Sequence, residues 1–221
     1  SIVPGTKIGK NTKIYSGAVI GADPQDFRWK GKPSFCIIGD NCVIREQVII
    51  NRGFGPEGGT RIGNDTFIMA GSHIGHDSVI EGRCVIGNGV TIAGCVTVDK
   101  CSILSSNVIL HEGSKVGKWV LIKGGCRISG NVPPYVIMAH NPVEYFGVNA
   151  FILKKKGFTD EQIDDIAAAY RHVYQSNTSV FNAVQRINED IEDSPVRAEI
   201  LNFINGVDQK IVATAVDTDA D

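Results

Sequence analysis

With 221 residues, 43% of them apolar, and 22 Lys+Arg against 24 Asp+Glu, the chain has enough material for a real core, which excludes intrinsic disorder. A net charge of −2 excludes the basic footprint of a general nucleic-acid binder, and no apolar run approaches the ~18 residues of a membrane span. The 25 glycines mean too many turns for a helix bundle, and 7% aromatics too few large side chains for an ordinary sandwich.

The opening residues, Ser1 to Gly5, do not read as a signal peptide. Aliphatic residues then recur every six positions, at Ile2, Ile8, Ile14 and Ile20. The same register returns at Ile38, Ile44 and Ile50, and runs unbroken from Ile62 to Ile128 through Ile74, Ile92 and Leu110. Four residues after each aliphatic position stands a small or β-branched one, from Thr66 and Ser72 to Cys126 and Val132. An α-helix repeats its apolar stripe every 3 to 4 residues, so a period of six does not fit it. The pattern predicts a mainly β fold of short strands and tight turns stacked as a hexapeptide β-helix. Asp26 and Lys32 break the register, as does Asn51 to Thr60, so loops are expected near 22–35 and 52–61. The repeat stops at Val132-Pro133-Pro134, which gives a β-helix over 1–138, a connector over 139–158 and a helical domain over 159–221. Thr159 with Gln162 caps a helix running to Tyr174. Further helices are expected from about Val180 to Ile191 and from Pro195 to Gly206, followed by an acidic tail from Thr214 to Asp221. The coil starts in phase at Ile2 without an atypical capping turn, so the chain reads as an N-terminally shortened form of something longer.

Cys36, Cys42, Cys84 and Cys126 hold the small inward position, where a thiol acts as a compact apolar group. The six cysteines are read as reduced, in a cytoplasm, and these four inward ones not as metal ligands. Three sides of six residues make a coil of eighteen, so residues eighteen apart stack. His76, Gly94 and Glu112 then share one column, while Ala93 and His111 lie in the next. His76 stands beside Asp77, which could orient it, and Gly94 leaves a backbone N–H near it for a developing oxyanion. Base, orienter and oxyanion donor together point to acyl transfer. Two rivals are a cysteine nucleophile, Cys95 or Cys101, and a metal centre. Cys95 stacks on Asp77, whose carboxylate raises rather than lowers a thiol pKa. His73 and His76 have only two residues between them, unlike the H-x4-H pair of metal-binding hexapeptide solenoids.

The repeat, His73-x-x-His76-Asp77, Ile92-Ala93-Gly94, Val132-Pro133-Pro134-Tyr135, Phe146-Gly147-Val148-Asn149 and Leu153-Lys154-Lys155-Lys156-Gly157-Phe158 together resemble the acyl-[acyl-carrier-protein]–UDP-N-acetylglucosamine O-acyltransferases of lipid A synthesis. The resemblance covers nearly the whole chain. It implies a homotrimer of left-handed parallel β-helices with sites between subunits. The implied reaction moves a (3-hydroxy)fatty acyl group from acyl carrier protein to the sugar 3-hydroxyl. No metal and no cofactor is implied beyond the carrier's phosphopantetheine. Carried across, His76 is the general base, Asp77 its orienter and Gly94 the oxyanion donor. Gln25, Asp26 and Arg28 match the loop that contacts the acyl 3-hydroxyl and the sugar, with arginine in place of the family's lysine. His73 and His111 match pocket histidines, Asn149 a uridine contact, and Lys155 and Lys156 the basic residues near the diphosphate. Gly124 matches the position that measures acyl length. Cys95 (often histidine), Glu112 (commonly glutamine, counted here with the substrate contacts) and Phe151 (an acidic contact) depart from the family pattern. The alternatives are the related N-acyltransferase, a CoA-dependent acetyltransferase, or a non-catalytic trimeric scaffold.

Overall fold

The six-residue register and its turns fold into a stacked coil in the computed structural model, which describes residues 1–56, 58–175, 178–208 and 210–214. Short strands three apart in chain order pair in parallel, with Val79 opposite Thr97, Val85 opposite Ile103 and Thr91 opposite Ile109. They assemble three sheets of six, eight and six strands. The fold is mainly β, a left-handed parallel β-helix followed by C-terminal helices, as the repeat and the resemblance together led one to expect.

Register positions Ile20 and Ile38 to Ile50, and then every one from Ile62 to Ile128, are at most 2% exposed and line the axis. Burying each such side chain stabilises the coil by roughly 1.5–3 kcal/mol before entropy is counted. The small positions are equally buried, and their hydroxyls tie one coil to the next. The Ser78 Oγ donates to the Ala93 carbonyl (2.9 Å) and accepts from the Val96 N–H (3.2 Å); Ser102 repeats the arrangement with Gly117 and Val120. Ile2 and Ile8 depart from the expected register. They are 58% and 37% exposed, because no coil among the described residues packs on that side of theirs.

The two breaks in the register are loops extruded from this frame. Thr6 pairs with Cys36, an offset of 30 residues, and Phe35 with Gly59, an offset of 24, against 18 in uninterrupted coils. Both loops leave the coil ahead of the strand His73–Ile74 and fold back toward the turn that follows it.

The connector expected over 139–158 is more regular than its sequence indicates. Val136–Ala139 extends the eight-stranded sheet beside Leu121–Ile122 and pairs antiparallel with Glu144–Val148. A short helix α1 (Ala150–Lys155) follows. Helices α2 (Asp160–Tyr174), α3 (Val180–Asp190) and α4 (Pro195–Asn205) match the three expected, and Thr159 and Gln162 form the complete capping box. The buried Tyr170 hydroxyl donates to the Pro134 carbonyl at 2.6 Å, fastening α2 to the end of the coil. Of the expected acidic tail, only Thr214 lies within the described residues. Among those residues no helix is long and apolar enough to cross a membrane.

Candidate active site

Asp77 and Cys95 occupy equivalent corners of successive coils, with φ of 56° and 58°. The left-handed turn directs the chain sharply and leaves the neighbouring side chains to define the surface. His76 precedes the first corner and lies in a recess, 9% exposed. Its Nδ1 is 3.0 Å from Asp77 Oδ2. A carboxylate oxygen only accepts, so Nδ1 is the donor in this contact, and in the neutral imidazole Nε2 then keeps its lone pair.

Three features hold this pair. The Phe54 N–H donates to Asp77 Oδ2 at 2.8 Å, and the Phe54 ring sits 5.0 Å from the imidazole, tilted by 53°. Gly53 and Gly58 let their loop approach Asp77 closely; a Cβ at Gly53 would lie 2.6 Å from Asp77 Oδ1 and as close to the Gly59 backbone. Gly94 is buried against the ring, and a Cβ there would stand 2.5 Å from Nε2. The Gly94 N–H has no acceptor among the described residues, and a Cβ at Gly75 would crowd its nitrogen at 2.7 Å. The Gly94 and Gly75 positions therefore both keep the space around that donor free.

The other loop brings Asp26 to 3.8 Å from His76 Nε2. Arg28 grips Asp26 through two nitrogens and reaches Glu112 at 3.3 Å. Hydrogen bonding from the Arg28 side chain, reinforced by its backbone N–H, lowers the Asp26 carboxyl to about 2. The same pairing raises the Arg28 guanidinium above its ordinary value. Gln25 is exposed on this loop. His73, half-buried on its strand, has its pKa lowered by burial. Burial first, and then the Asp77 carboxylate, raise the Cys95 thiol, which makes it a poor nucleophile. The Cys36, Cys42, Cys84 and Cys126 thiols are buried in their inward slots as expected.

Sequence columns alone do not locate every expected residue in this cluster. His111 instead helps line a cavity of about 790 Å³ between the last coils and the C-terminal segment, with Arg127, Asn141, Tyr145, Tyr174 and Lys210. Asn149 is 3% exposed, and its amide donates to the Trp119 carbonyl at 3.0 Å. Lys155 lies over the Phe151 ring (4.3 Å) and Lys154 pairs with Asp160 (2.7 Å), while Lys156 is exposed. Gly124 is exposed at a coil corner. Sequence reasoning missed Phe54, Lys30 and Lys32. With Arg28 they line a second cavity of about 500 Å³ between the two extruded loops. The break in register was the available signal for the loops, but not for their convergence on His76.

Residues 131–212 match a family profile described as UDP-N-acetylglucosamine O-acyltransferase, domain 2, and residues 59–94 match bacterial transferase hexapeptide repeats. The acyl-[acyl-carrier-protein]–UDP-N-acetylglucosamine O-acyltransferase of Xylella fastidiosa is 38% identical over 88% of this chain and 75% of its own length. That of Gloeothece citriformis is 33% identical over 90% of this chain and 72% of its own. The crystal structure of the UDP-N-acetylglucosamine acyltransferase from Bacteroides fragilis 9343 superposes with a TM-score of 0.91 at 40% identity, covering 96% of this chain and 83% of that one. Fold, repeat and relatives agree, and the chain belongs to the acyl-[acyl-carrier-protein]–UDP-N-acetylglucosamine O-acyltransferase family.

Proposed function

We propose that the chain transfers a (3-hydroxy)fatty acyl group from acyl carrier protein to the 3-hydroxyl of UDP-N-acetylglucosamine, the first step of lipid A synthesis. The observation that carries this reading is the His76 imidazole, fixed through Nδ1 by Asp77 with Nε2 beside the unpaired Gly94 N–H. His76 Nε2 takes the proton of the sugar 3-hydroxyl as its oxygen attacks the thioester carbonyl. The Gly94 N–H stabilises the oxyanion of the tetrahedral intermediate. Collapse breaks the C–S bond, and the imidazolium returns its proton to the departing phosphopantetheine thiolate. No metal or further cofactor is needed, since the carrier supplies the activated acyl group.

In this reading Gln25, Asp26, Arg28, His73 and Glu112 contact the acyl 3-hydroxyl and the sugar. Lys30 and Lys32 extend the positive surface beside them. None of the contacts made by His111, Asn149, Lys155 and Lys156 among the described residues is with His76, which favours completion of the site by a second subunit in a homotrimer. The coils of 1–138 carry the chemistry, and the segments 139–158 and 159–221 support nucleotide and carrier binding. Free cysteines throughout suit a cytoplasmic enzyme. Incubation with UDP-N-acetylglucosamine and 3-hydroxyacyl carrier protein should yield the 3-O-acyl sugar nucleotide, identified by mass spectrometry. A product only with acetyl-CoA, or none from an intact oligomer, would overturn the assignment.

A further inference from the structure

The corner one coil beyond Asp77 holds a cysteine, Cys95, and this changes what the site can bind. One ligand atom each from His76, Asp77 and Cys95 lie within 4.8 Å of one another, an imidazole nitrogen, a carboxylate oxygen and a thiol sulfur. A tetrahedral zinc ion with bonds of roughly 2.0–2.3 Å needs its ligand atoms about 3.3–3.8 Å apart. His76 Nδ1 and Asp77 Oδ2, 3.0 Å apart, need to open by only a few tenths of an ångström. Cys95 is exposed at its corner, so rotation of its side chain can supply the remaining ångström or so.

The surroundings favour a cation. Asp26, Asp77 and Glu112 cluster around the imidazole and thiol; the Arg28 guanidinium is shared between Asp26 and Glu112, and Lys30 and Lys32 line the neighbouring cavity between the loops. Sulfur, nitrogen and oxygen donors with an open fourth position select soft, thiophilic divalent ions over magnesium or calcium.

We propose that His76, Asp77 and Cys95 form an inhibitory site for thiophilic divalent metal ions such as zinc and cadmium. Binding replaces the Cys95 thiol proton, which passes to solvent, and forms a metal–thiolate bond. It also takes the single lone pair of the neutral imidazole, whichever ring nitrogen coordinates, so His76 can no longer accept a proton from a substrate hydroxyl. Inhibition thus rests on the acyl-transfer reading above, whereas occupancy of the site does not.

The two are separable by experiment. Cadmium added to the intact protein should give thiolate-to-metal charge-transfer absorption that saturates at one ion per subunit, with no substrate present. Cys95→Ser should abolish that signal, and Cys101→Ser, at another corner, should leave it. In the acyl-transfer assay zinc should inhibit the protein and magnesium should not. Cys95→Ser, which lies outside the proposed catalytic groups, should keep its turnover while the zinc concentration for half-inhibition rises by about 10²-fold. Cadmium absorption and zinc sensitivity unchanged in Cys95→Ser would overturn the proposal, as would absorption that follows Cys101. Cadmium binding at Cys95 that leaves turnover intact would retain the metal site and overturn His76 as both its ligand and the base.

Discussion

Gly94→Ala is the most discriminating perturbation of the site, because it adds one methyl group and little else. Gly94 is not in the left-handed region, so alanine fits its backbone without strain. The added Cβ would stand 2.5 Å from His76 Nε2, 2.6 Å from Cε1 and 3.0 Å from Cδ2. Ordinary contact distances are about 3.5–4.0 Å, so the ring must retreat by about 1 Å. It can do so only by disturbing the 3.0 Å bond to Asp77 or the packing against Phe54. A misplacement of that size costs a reaction on the order of 10²-fold, and kcat should fall accordingly while thermal stability changes little. Steady-state acyl transfer with a melting curve checks both. A double-mutant cycle tests the cause: if the methyl acts by moving the imidazole, it should add almost nothing in a His76→Ala background. A Gly94→Ala enzyme with normal kcat, or one equally impaired without His76, would refute this reasoning.

Three further outcomes are expected. Lys156→Ala should raise the KM for UDP-N-acetylglucosamine more than it lowers kcat, since Lys154 is occupied by Asp160 and Lys155 by Phe151, whereas Lys156 is exposed. Gly124→Met should shift preference to donors several carbons shorter; at about 0.8 kcal/mol per methylene, three or four lost methylenes change specificity on the order of 10²-fold. Competing donors of different length measure that shift, and equal loss for all of them would indicate a disturbed turn. Asp26 should titrate near 2 because Arg28 favours its charged form, and Arg28→Ala should return it toward its ordinary 3.8, as followed by carboxyl NMR. Since the folded value is the lower one, the pair's contribution is complete above about 3.8 and is lost as pH falls toward 2.

The coil was legible because its determinant is local and repeated. Each inward aliphatic residue occupies the same slot as the one six positions earlier, and an error in phase would expose the whole set. The capping box of α2 was legible for the same reason, since Thr159 and Gln162 act across a single turn. The outermost coil was not, because burial of Ile2 and Ile8 depends on a neighbour rather than on their own spacing. Column arithmetic placed His76, Asp77, Gly94 and Cys95 together within uninterrupted coils. It could not extend across the extruded loops, whose return to Asp77 through Phe54 and to His76 through Asp26 is set by through-space contacts. The hairpin over Val136–Val148 carries too little alternation to announce itself, and it is held by the sheet it joins.

The central claim is that His76 is the general base of acyl transfer, and it is tested by single-turnover transfer of a 3-hydroxyacyl group to UDP-N-acetylglucosamine with His76→Ala. The side chain lies in a surface recess and not on the coil axis, so sedimentation should show the variant in the same oligomer as the parent. The account predicts a rate reduced about 10²–10⁴-fold in that intact assembly. Near-normal transfer by the intact variant would contradict it and move the search for the base to Glu112.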